Sequence, residues 1–362
     1  MKIGILTFHC AHNFGAVLQC YALQETLKDL GHDVAIINYR PEYLIRPYRK
    51  FKLFDFGGAK KPLSKAYIFM NEVIKYRLRS KKYDKFEQFI NKYLNLTEEV
   101  KCDFTPNGYD AIIVGSDQIW NNGNSHHFDS MYFCDFNYIK KNCKYISYAA
   151  SAGMADFIKS EKQFLTKKLK NFDSISVRES TLQLVIEQLG FTCHKVLDPT
   201  LLIPTVKWEQ ISAHIRLTKR PYILTYEVQT DKNVQRIAKD LAMKLNANII
   251  TLKSVFYSPI DKYQATSPDE FITLIKNASW VITTSFHGTV FSIIMQRPFY
   301  YIRQGGNIDL RALSLLESLD LCNRIIDKNT TPIFSSIDYS KTNRLLNSLR
   351  QESLSFITKS LG

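Results

Sequence analysis

Residues 2–39, KIGILTFHCAHNFGAVLQCYALQETLKDLGHDVAIINY, decide the fold of the first part of the chain because they alternate strand, loop, helix and strand. The runs KIGILTF (2–8) and VAIINY (34–39) have the apolar, β-branched character of buried strands. Between them, AVLQCYALQETLKDLG (16–31) is long enough for a helix that stops at Gly31. Two strands joined by one helix predict a parallel, right-handed βαβ unit.

The same alternation continues along most of the chain. Apolar runs that end in small polar residues are typical of buried parallel strands, and they occur at 109–117, 144–153, 172–179 and 195–203. Residues 41–101 interrupt the pattern with a basic, aromatic, mostly helical insertion. After a hinge expected at 203–220, a second series of strands follows at 221–228, 247–252, 280–284 and 297–302.

We therefore predict an α/β fold of two doubly wound, Rossmann-like domains that face a cleft, the GT-B arrangement of glycosyltransferases. The N-terminal domain, on the acceptor side, is expected over 1–202 with the insertion at 41–101. The C-terminal domain, on the donor side, is expected over 203–335, followed by a helical tail over 336–362.

The composition limits the partners. Lys and Arg number 48 against 34 Asp and Glu, which gives a formal net charge of +14. This excess suits anionic substrates or an anionic surface. Nucleic acid is not an expected partner, because no nucleic-acid-binding module is present.

Cysteine and histidine spacing gives no sign of a metal. The seven cysteines are scattered without a CxxC pair, which argues against a disulfide framework and a structural zinc site and indicates a reducing cytoplasm. His9 with His12, and His126 with His127, lack carboxylates at helical spacing, so we expect neither a metal nor another cofactor. The start of the chain is interpreted as a strand and not a signal peptide.

One histidine occupies a position typical of ligand-binding residues. In WVITTSFHGTVFSIIMQ (280–296), His287 lies where a β-type run gives way to an apolar helix. Ligands of open α/β sheets collect at such strand ends, where helix N-termini bind anions. Gly288 and Thr289 fit a close backbone approach and an N-cap, and Ser285 precedes them. A purely structural capping role for His287 is the alternative.

Polar clusters follow three other predicted strands. The first two are AHNFGAVLQ, with His12, Asn13 and Gly15, and VGSDQIWN, with Gly115, Ser116, Asp117, Gln118 and Trp120. Amides, a carboxylate and an indole suit a sugar, although helix capping and a turn after a core strand would explain the same residues. In SISVRES, Arg178 can bind a carboxylate or phosphate through its planar fork, unless it forms a surface pair with Glu179. Asp198, before a proline, is more often a structural residue.

Six ordered blocks together resemble the polysaccharide pyruvyl transferase family. They are ILTFHCAHNFGAVLQCYAL, YDAIIVGSDQIWN, ISYAASAG, ISVRES, VLDPTLL and SFHGTVFSIIMQRPF, and the resemblance extends from about residue 1 to 325. It implies transfer of pyruvate from phosphoenolpyruvate to a sugar of a bacterial surface polysaccharide, as a ketal with release of phosphate. It also implies that His287 is the general acid, and Arg178 and Asp117 are the other candidate catalytic residues.

The chain departs from the family motif close to His287. Many family members carry arginine two positions before this histidine, where this chain has Ser285. Their lysine about twenty positions after it would fall near Asn307. Arg303 and Arg311 are the candidates for restoring the positive charge.

Two other functions fit the same two-domain cleft. One is a glycosyltransferase with a nucleotide-sugar donor, although its acidic C-terminal motif is not evident. The other is a noncatalytic glycan-binding relative, which Ser285 favours.

A peripheral membrane contact is a further expectation. The acceptor sugar could be linked to a lipid diphosphate, and basic residues between Arg46 and Lys85 alternate with aromatic ones. Those aromatic residues are Tyr48, Phe51, Phe54, Tyr67 and Phe69. We expect a cytoplasmic protein that binds the inner membrane face peripherally, with a solvated helical pair as the alternative.

Overall fold

The computed structural model describes residues 1–50, 62–123, 128–136, 142–154, 156–215, 217, 219–228, 230–253, 262–327, 330 and 332–362. Phe51, Phe54, His126, His127 and the side chain of Tyr67 lie outside this description. In the part described, no helix has both the length and the apolar character needed to span a bilayer.

Twelve strands within the described ranges form two sheets. The first sheet contains β1 (Lys2–Leu6), β2 (Asp33–Tyr39), β3 (Leu96–Val100), β4 (Ala111–Val114), β5 (Lys144–Ala150), β6 (Ser174–Val177) and β7 (His194–Lys195). The second contains β8 (Tyr222–Glu227), β9 (Asn248–Lys253), β10 (Trp280–Thr283), β11 (Phe299–Ile302) and β12 (Ile325–Ile326). Every neighbouring pair is parallel.

Helices connect these strands. In chain order they are α1 (Phe14–Asp29), α2 (Glu42–Ile45), α3 (Pro62–Tyr93), α4 (Lys159–Lys168), α5 (Ser180–Gln188), α6 (Thr205–Ile211), α7 (Lys232–Leu245), α8 (Pro268–Lys276), α9 (Phe286–Ile294), α10 (Leu310–Ser318) and α11 (Tyr339–Leu361). The opening strand, helix and strand predicted over 2–39 are β1, α1 and β2, paired in parallel through β1 and β2.

Strand order places a switch point in each sheet. The orders are β3-β2-β1-β4-β5-β6-β7 and β12-β11-β10-β8-β9. The chain therefore turns outward in opposite directions from β1 and β4, and again from β8 and β10. A crevice opens at the carboxyl ends of such strand pairs, and ligands of doubly wound folds bind there.

One hydrophobic core extends across both sheets. Phe14 of α1 stacks on Phe271 of α8 with ring centroids 4.4 Å apart, and Trp208 of α6 packs against both Tyr21 and Phe291. Because α1 is packed between the two halves, nearly all of its side chains are buried. The α/β fold predicted from the sequence, two Rossmann-like domains facing a cleft in the GT-B manner, is confirmed by these sheets and their shared core.

Several boundaries differ from the sequence-based expectation. Residues 96–100, assigned to the helical insertion, pair with β2 as the edge strand β3, whose charged sequence LTEEV suits an edge. The expected hinge at 203–220 contains helix α6, anchored by the buried Trp208. The strand expected at 195–203 ends at Lys195, because Asp198 caps a 3-10 turn over Pro199–Leu201.

The C-terminal helix does not extend away from the protein. Ser353 of α11 accepts a hydrogen bond from the backbone N–H of Leu197 (3.0 Å), and Lys144 donates to the carbonyl of Leu361 (2.6 Å). Helix α11 therefore crosses back and packs on the first sheet.

Candidate functional site

A cavity of about 340 Å³ lies between the two switch points. Each central strand supplies residues that follow its carboxyl end. These are Phe8, Ala11 and Asn13 after β1, Asp117 and Gln118 after β4, Val228 after β8, and Thr284, Ser285, Phe286 and His287 after β10. A larger groove of about 810 Å³ runs between β7 and α11, away from these strand ends.

The turn between β10 and α9 holds His287 in the cavity wall. Ser285 is the N-cap of α9, and its side chain accepts a hydrogen bond from the N–H of Gly288 (3.3 Å). The cap predicted at Thr289 is therefore wrong, because Thr289 lies inside the helix and donates to the carbonyl of Ser285 (3.1 Å). Gly288 packs closely against the end of β10, since a Cβ on Gly288 would lie 2.3 Å from Oγ1 of Thr283.

Gly15 leaves room for the His287 ring. A Cβ built on Gly15 would lie 1.9 Å from Nδ1 of His287, closer than any real contact. Gly15, which the sequence predicts as a substrate contact, is thus the point at which the N-terminal domain contacts the His287 ring.

Replacing Gly15 by alanine is expected to displace the imidazole. A displacement of about 1 Å can lower turnover on the order of 100-fold, while overpacking costs about 1–3 kcal/mol of stability. Steady-state kinetics combined with urea unfolding measures both effects. Unchanged turnover in a folded Gly15→Ala protein would show that the ring position is not critical.

Asp198 connects the groups beneath the cavity. It is fully buried, accepts a hydrogen bond from Arg178 Nη1 (2.5 Å), and lies 3.6 Å from Nε2 of His287 through the same oxygen, Oδ2. Its other oxygen accepts from the N–H and Oγ1 of Thr200 (3.0 and 2.6 Å). Burial alone would raise the pKa of Asp198, but the contacts with His287, Arg178 and Thr200 hold it well below its usual range.

Arg178 is buried and only partly paired. Its Nη2 is 3.7 Å from Oδ1 of Asp117, its Nε has no hydrogen-bond partner, and its guanidinium carbon lies 4.8 Å from the Phe286 ring centroid. Burial opposes its charge, yet the surrounding carboxylates raise the pKa of Arg178 above its ordinary value. The surface pair with Glu179 is not formed, because buried Glu179 accepts hydrogen bonds from Ser151 and Ala152.

The cluster after β4 divides into cavity and core. Asp117 and Gln118 line the cavity. Gly115 adopts a φ of 119° where a Cβ would collide with the Tyr148 carbonyl, and the buried Ser116 hydroxyl donates to the carbonyl of Ala149 (3.0 Å). These two residues therefore shape the turn.

Trp120 is not an aromatic platform in the cavity. Its indole is buried, stacks on Phe133 at 5.4 Å and donates to the carbonyl of Tyr132 (2.9 Å). The prediction that Trp120 contacts substrate is wrong, because a large apolar ring with one satisfied N–H is better placed in the core.

Two other predicted contacts point elsewhere. His12 is buried away from the cavity lining, and its Nε2 contacts Glu87 Oε1 of α3 at 2.8 Å. Asn13 reaches the cavity but also caps α1 by accepting from the N–H of Gly15 (2.9 Å). Arg303 lies outside the lining, with a side chain 41% exposed and paired with Asp327 at 3.1 Å. Arg311, by contrast, lines the cavity.

Three further residues belong to the cavity or contact its lining, and the sequence did not indicate their role there. Asp198 was assigned to a structural turn, and it does cap that turn while also contacting the site. Tyr43 and Tyr48, from the insertion, line the cavity as well. Burial raises the pKa of Tyr48 to about 12, so its hydroxyl is protonated at neutral pH. Their aromatic type was visible in the sequence, but their position depends on how α2 folds over the strand ends.

The residues present offer hydrogen-bond donors and cations more than metal ligands. Across the described residues, no group of three or more His, Cys, Asp or Glu side chains is arranged to hold a metal ion. Buried nitrogens of Arg178, His287 and Arg311 lack hydrogen-bond partners within the described structure. Of these residues His287 and Arg311 line the cavity, whereas Arg178 is not part of its lining.

Solved structures similar to this chain include two UDP-GlcNAc 2-epimerases and a glycosyltransferase. UDP-GlcNAc 2-epimerase from Methanocaldococcus jannaschii aligns over 96% of this chain and 92% of its own, with 10% identity and a TM-score of 0.45. The Neisseria meningitidis enzyme bound to UDP-GlcNAc aligns over 100% and 99%, with 10% identity and a TM-score of 0.46. A Streptomyces glycosyltransferase complexed with thymidine diphosphate aligns over 99% and 96%, with 10% identity and a TM-score of 0.37. These similarities assign no substrate.

Sequence comparison is more specific. Among curated proteins no significant match is found. The family model described as polysaccharide pyruvyl transferase matches residues 13–305, which include α1, Asp117, Arg178 and His287. The chain therefore belongs to the polysaccharide pyruvyl transferase family of transferase enzymes.

Proposed function

We propose that the cavity binds phosphoenolpyruvate and transfers its pyruvyl group to a sugar of a bacterial surface polysaccharide or of its lipid-linked precursor. One observation carries the proposal: His287 and Asp117 come from two separate strand ends and line one cavity, while Arg178, from a third strand end, lies outside its lining with Nη2 3.7 Å from Oδ1 of Asp117. Nitrogens of His287 and Arg311, both in the cavity lining, have no hydrogen-bond partner within the described structure. Phosphoenolpyruvate carries a carboxylate and a phosphate that would pair with them.

In the proposed reaction His287 is the general acid. Asp198 lies 3.6 Å from Nε2 of His287, and the imidazole would give a proton to C3 of phosphoenolpyruvate. The C2–C3 double bond becomes a single bond, C3 becomes a methyl group, and C2 becomes electrophilic. Asp198, which contacts His287 without reaching the cavity lining, is then a positioning residue.

A sugar hydroxyl then attacks C2, and Asp117, at the cavity wall, accepts its proton. The C2–O bond to phosphate breaks, phosphate leaves, and a second hydroxyl of the same sugar closes the ketal. Asp117 passes the proton of the first hydroxyl to the departing phosphate, and the proton of the second hydroxyl returns to His287, so protons balance and both residues regain their starting states. No cofactor is needed, because phosphoenolpyruvate supplies the activated group.

Ligand binding separates this proposal from a nucleotide-sugar glycosyltransferase. Phosphoenolpyruvate, titrated into the protein and followed by the thermal unfolding temperature, should raise that temperature in a concentration-dependent way. UDP and UDP-GlcNAc in parallel should not. Stabilisation by the nucleotides alone would favour the glycosyltransferase, and stabilisation by none of the three would favour a noncatalytic relative.

We also propose that the exposed face of α3 meets an anionic bilayer. Phe69, Met70 and Val73 are 47%, 64% and 49% exposed on this helix, and Arg77 and Lys81 follow at its exposed surface. Lys and Arg near an acidic leaflet contribute about 1 kcal/mol each, and exposed apolar side chains can enter the headgroup level. Such contact would bring the cavity close to a lipid-diphosphate-linked acceptor.

Cosedimentation with vesicles measures this contact. The protein should bind phosphatidylglycerol vesicles at low salt, bind less at high salt, and not bind phosphatidylcholine vesicles. Replacing Phe69 and Met70 by serine should weaken binding without changing phosphoenolpyruvate affinity. Failure to bind either vesicle type would refute the membrane surface and leave the pyruvyl transfer unaffected.

A further inference from the structure

We propose that Arg311 is a second anion-binding residue of the donor site, acting beside Arg178 on phosphoenolpyruvate; this inference rests on the proposed function. Arg311 lies in the first turn of α10, and its side chain lines the cavity together with Ser285 and His287. It therefore reaches the site from an element other than the four central strand ends.

Both arginines approach the same ring. The guanidinium carbons of Arg178 and Arg311 lie 4.8 and 5.7 Å from the centroid of Phe286. The two side chains also line a smaller cavity of about 30 Å³ behind that ring. Phe286 thus holds two cationic groups next to the His287 position.

The two arginines differ in their partners. Arg178 contacts Asp198 at 2.5 Å and Asp117 at 3.7 Å. Within the described part of the chain Arg311 forms no ion pair or hydrogen bond, and its Nε is shielded from water without an acceptor. The charge of Arg178 is largely compensated within the protein, whereas that of Arg311 remains available to a ligand.

Electrostatics support the same assignment. Burial, followed by the neighbouring charge of Arg178, lowers the pKa of Arg311 from its ordinary value. A second cation in a water-poor site is unfavourable until an anion binds. A charge that is unfavourable in the ligand-free protein is typical of a residue whose role is to bind a ligand. Replacing such a residue should not destabilise the ligand-free protein.

Arg303 does not have these properties. It pairs with Asp327 at 3.1 Å and Asp309 at 3.8 Å, and its side chain lies partly in solvent outside the cavity. Because Arg303 and Arg311 are both arginines of the C-terminal domain, Arg303 provides a matched control.

The test is the dissociation constant of phosphoenolpyruvate for Arg311→Met, with thermal unfolding of the ligand-free protein. Methionine keeps an apolar stem against Phe286 and removes the charge. We expect binding about 10- to 100-fold weaker, the loss typical of one charge-assisted contact, and no lower unfolding temperature. Arg303→Met should bind as wild type does.

Moving the positive charge from position 311 to position 285 tests whether the lost affinity is due to the charge itself. Since Ser285 lines the same cavity, Ser285→Arg combined with Arg311→Met should recover part of the lost affinity. Wild-type affinity in Arg311→Met, or a lower ligand-free unfolding temperature with unchanged affinity, would overturn the role of Arg311 and leave the proposed function standing. Absence of phosphoenolpyruvate binding by the wild-type protein would overturn both.

Discussion

His287→Ala is expected to lose turnover by roughly 10²- to 10⁴-fold, the range usual for removal of a general acid. The reason is chemical, because phosphoenolpyruvate becomes electrophilic at C2 only when C3 receives a proton. His287 lines the cavity with Asp198 3.6 Å from its Nε2, and in the proposed reaction it gives that proton. Initial rates of phosphate release at saturating phosphoenolpyruvate measure the loss.

His194→Ala is the control for histidine replacement. His194 is exposed on β7, away from the cavity, and its removal should leave the rate unchanged. His287→Gln keeps much of the side-chain volume without the acid, so a loss in both His287 variants separates chemistry from packing. A folded His287→Ala protein with near wild-type turnover would contradict the assignment.

Asp198→Asn is expected to have the largest effect on stability, about 3–5 kcal/mol, the cost of leaving a buried charge without its partner. The Arg178 guanidinium would remain in the interior with Asp117 at 3.7 Å as its nearest carboxylate contact. Chemical denaturation at neutral pH measures the loss in unfolding free energy. Turnover should fall as well, because His287 would lose the carboxylate that lies 3.6 Å from its Nε2.

Two variants provide the controls: one breaks an exposed ion pair, and the other replaces both partners of the buried ion pair. Asp327→Asn breaks the exposed pair with Arg303 and should cost about 0–1 kcal/mol. Replacing Arg178 and Asp198 together by methionine and leucine should restore much of the stability but not activity. A loss no larger in Asp198→Asn than in Asp327→Asn would show that Asp198 is not the centre of the buried charges.

The pH dependence of stability follows from the direction in which the pKa of Asp198 is shifted. The pKa of Asp198 is depressed in the folded protein, so its stabilisation is complete above the unfolded value of about 4 and is lost as the pH falls further. The difference in unfolding free energy between wild type and Asp198→Asn should therefore persist from pH 5 to pH 8 and become smaller below about pH 4.

Much of the fold could be predicted because buried parallel strands are short apolar runs that end in polar residues. That pattern located β1, β4, β6 and β10, and with them the positions of Asp117, Arg178 and His287. The edge strand β3 was missed because LTEEV carries too few apolar residues to show the pattern. An edge strand has one paired side and tolerates charges that a central strand does not.

Side-chain direction could not be predicted in the same way. Trp120 and Asp117 are three residues apart in one turn, yet one packs on Phe133 and the other lines the cavity. Asp198 has the sequence of a simple cap before proline, and its contacts with Arg178 and His287 join residues up to 89 positions apart. Only the packing of the two domains brings those groups together.

Acceptor-dependent release of phosphate from phosphoenolpyruvate tests the central claim most directly. The assay would offer a panel of methyl glycosides and polyprenyl-diphosphate-linked saccharides, with mass detection of the sugar product. With a productive acceptor we expect phosphate to be released in an amount equal to the pyruvyl ketal formed on the sugar, and we expect His287→Ala to form neither product. Phosphate release that is the same with and without acceptor, or nucleotide release from a nucleotide sugar while phosphoenolpyruvate stays intact, would contradict it.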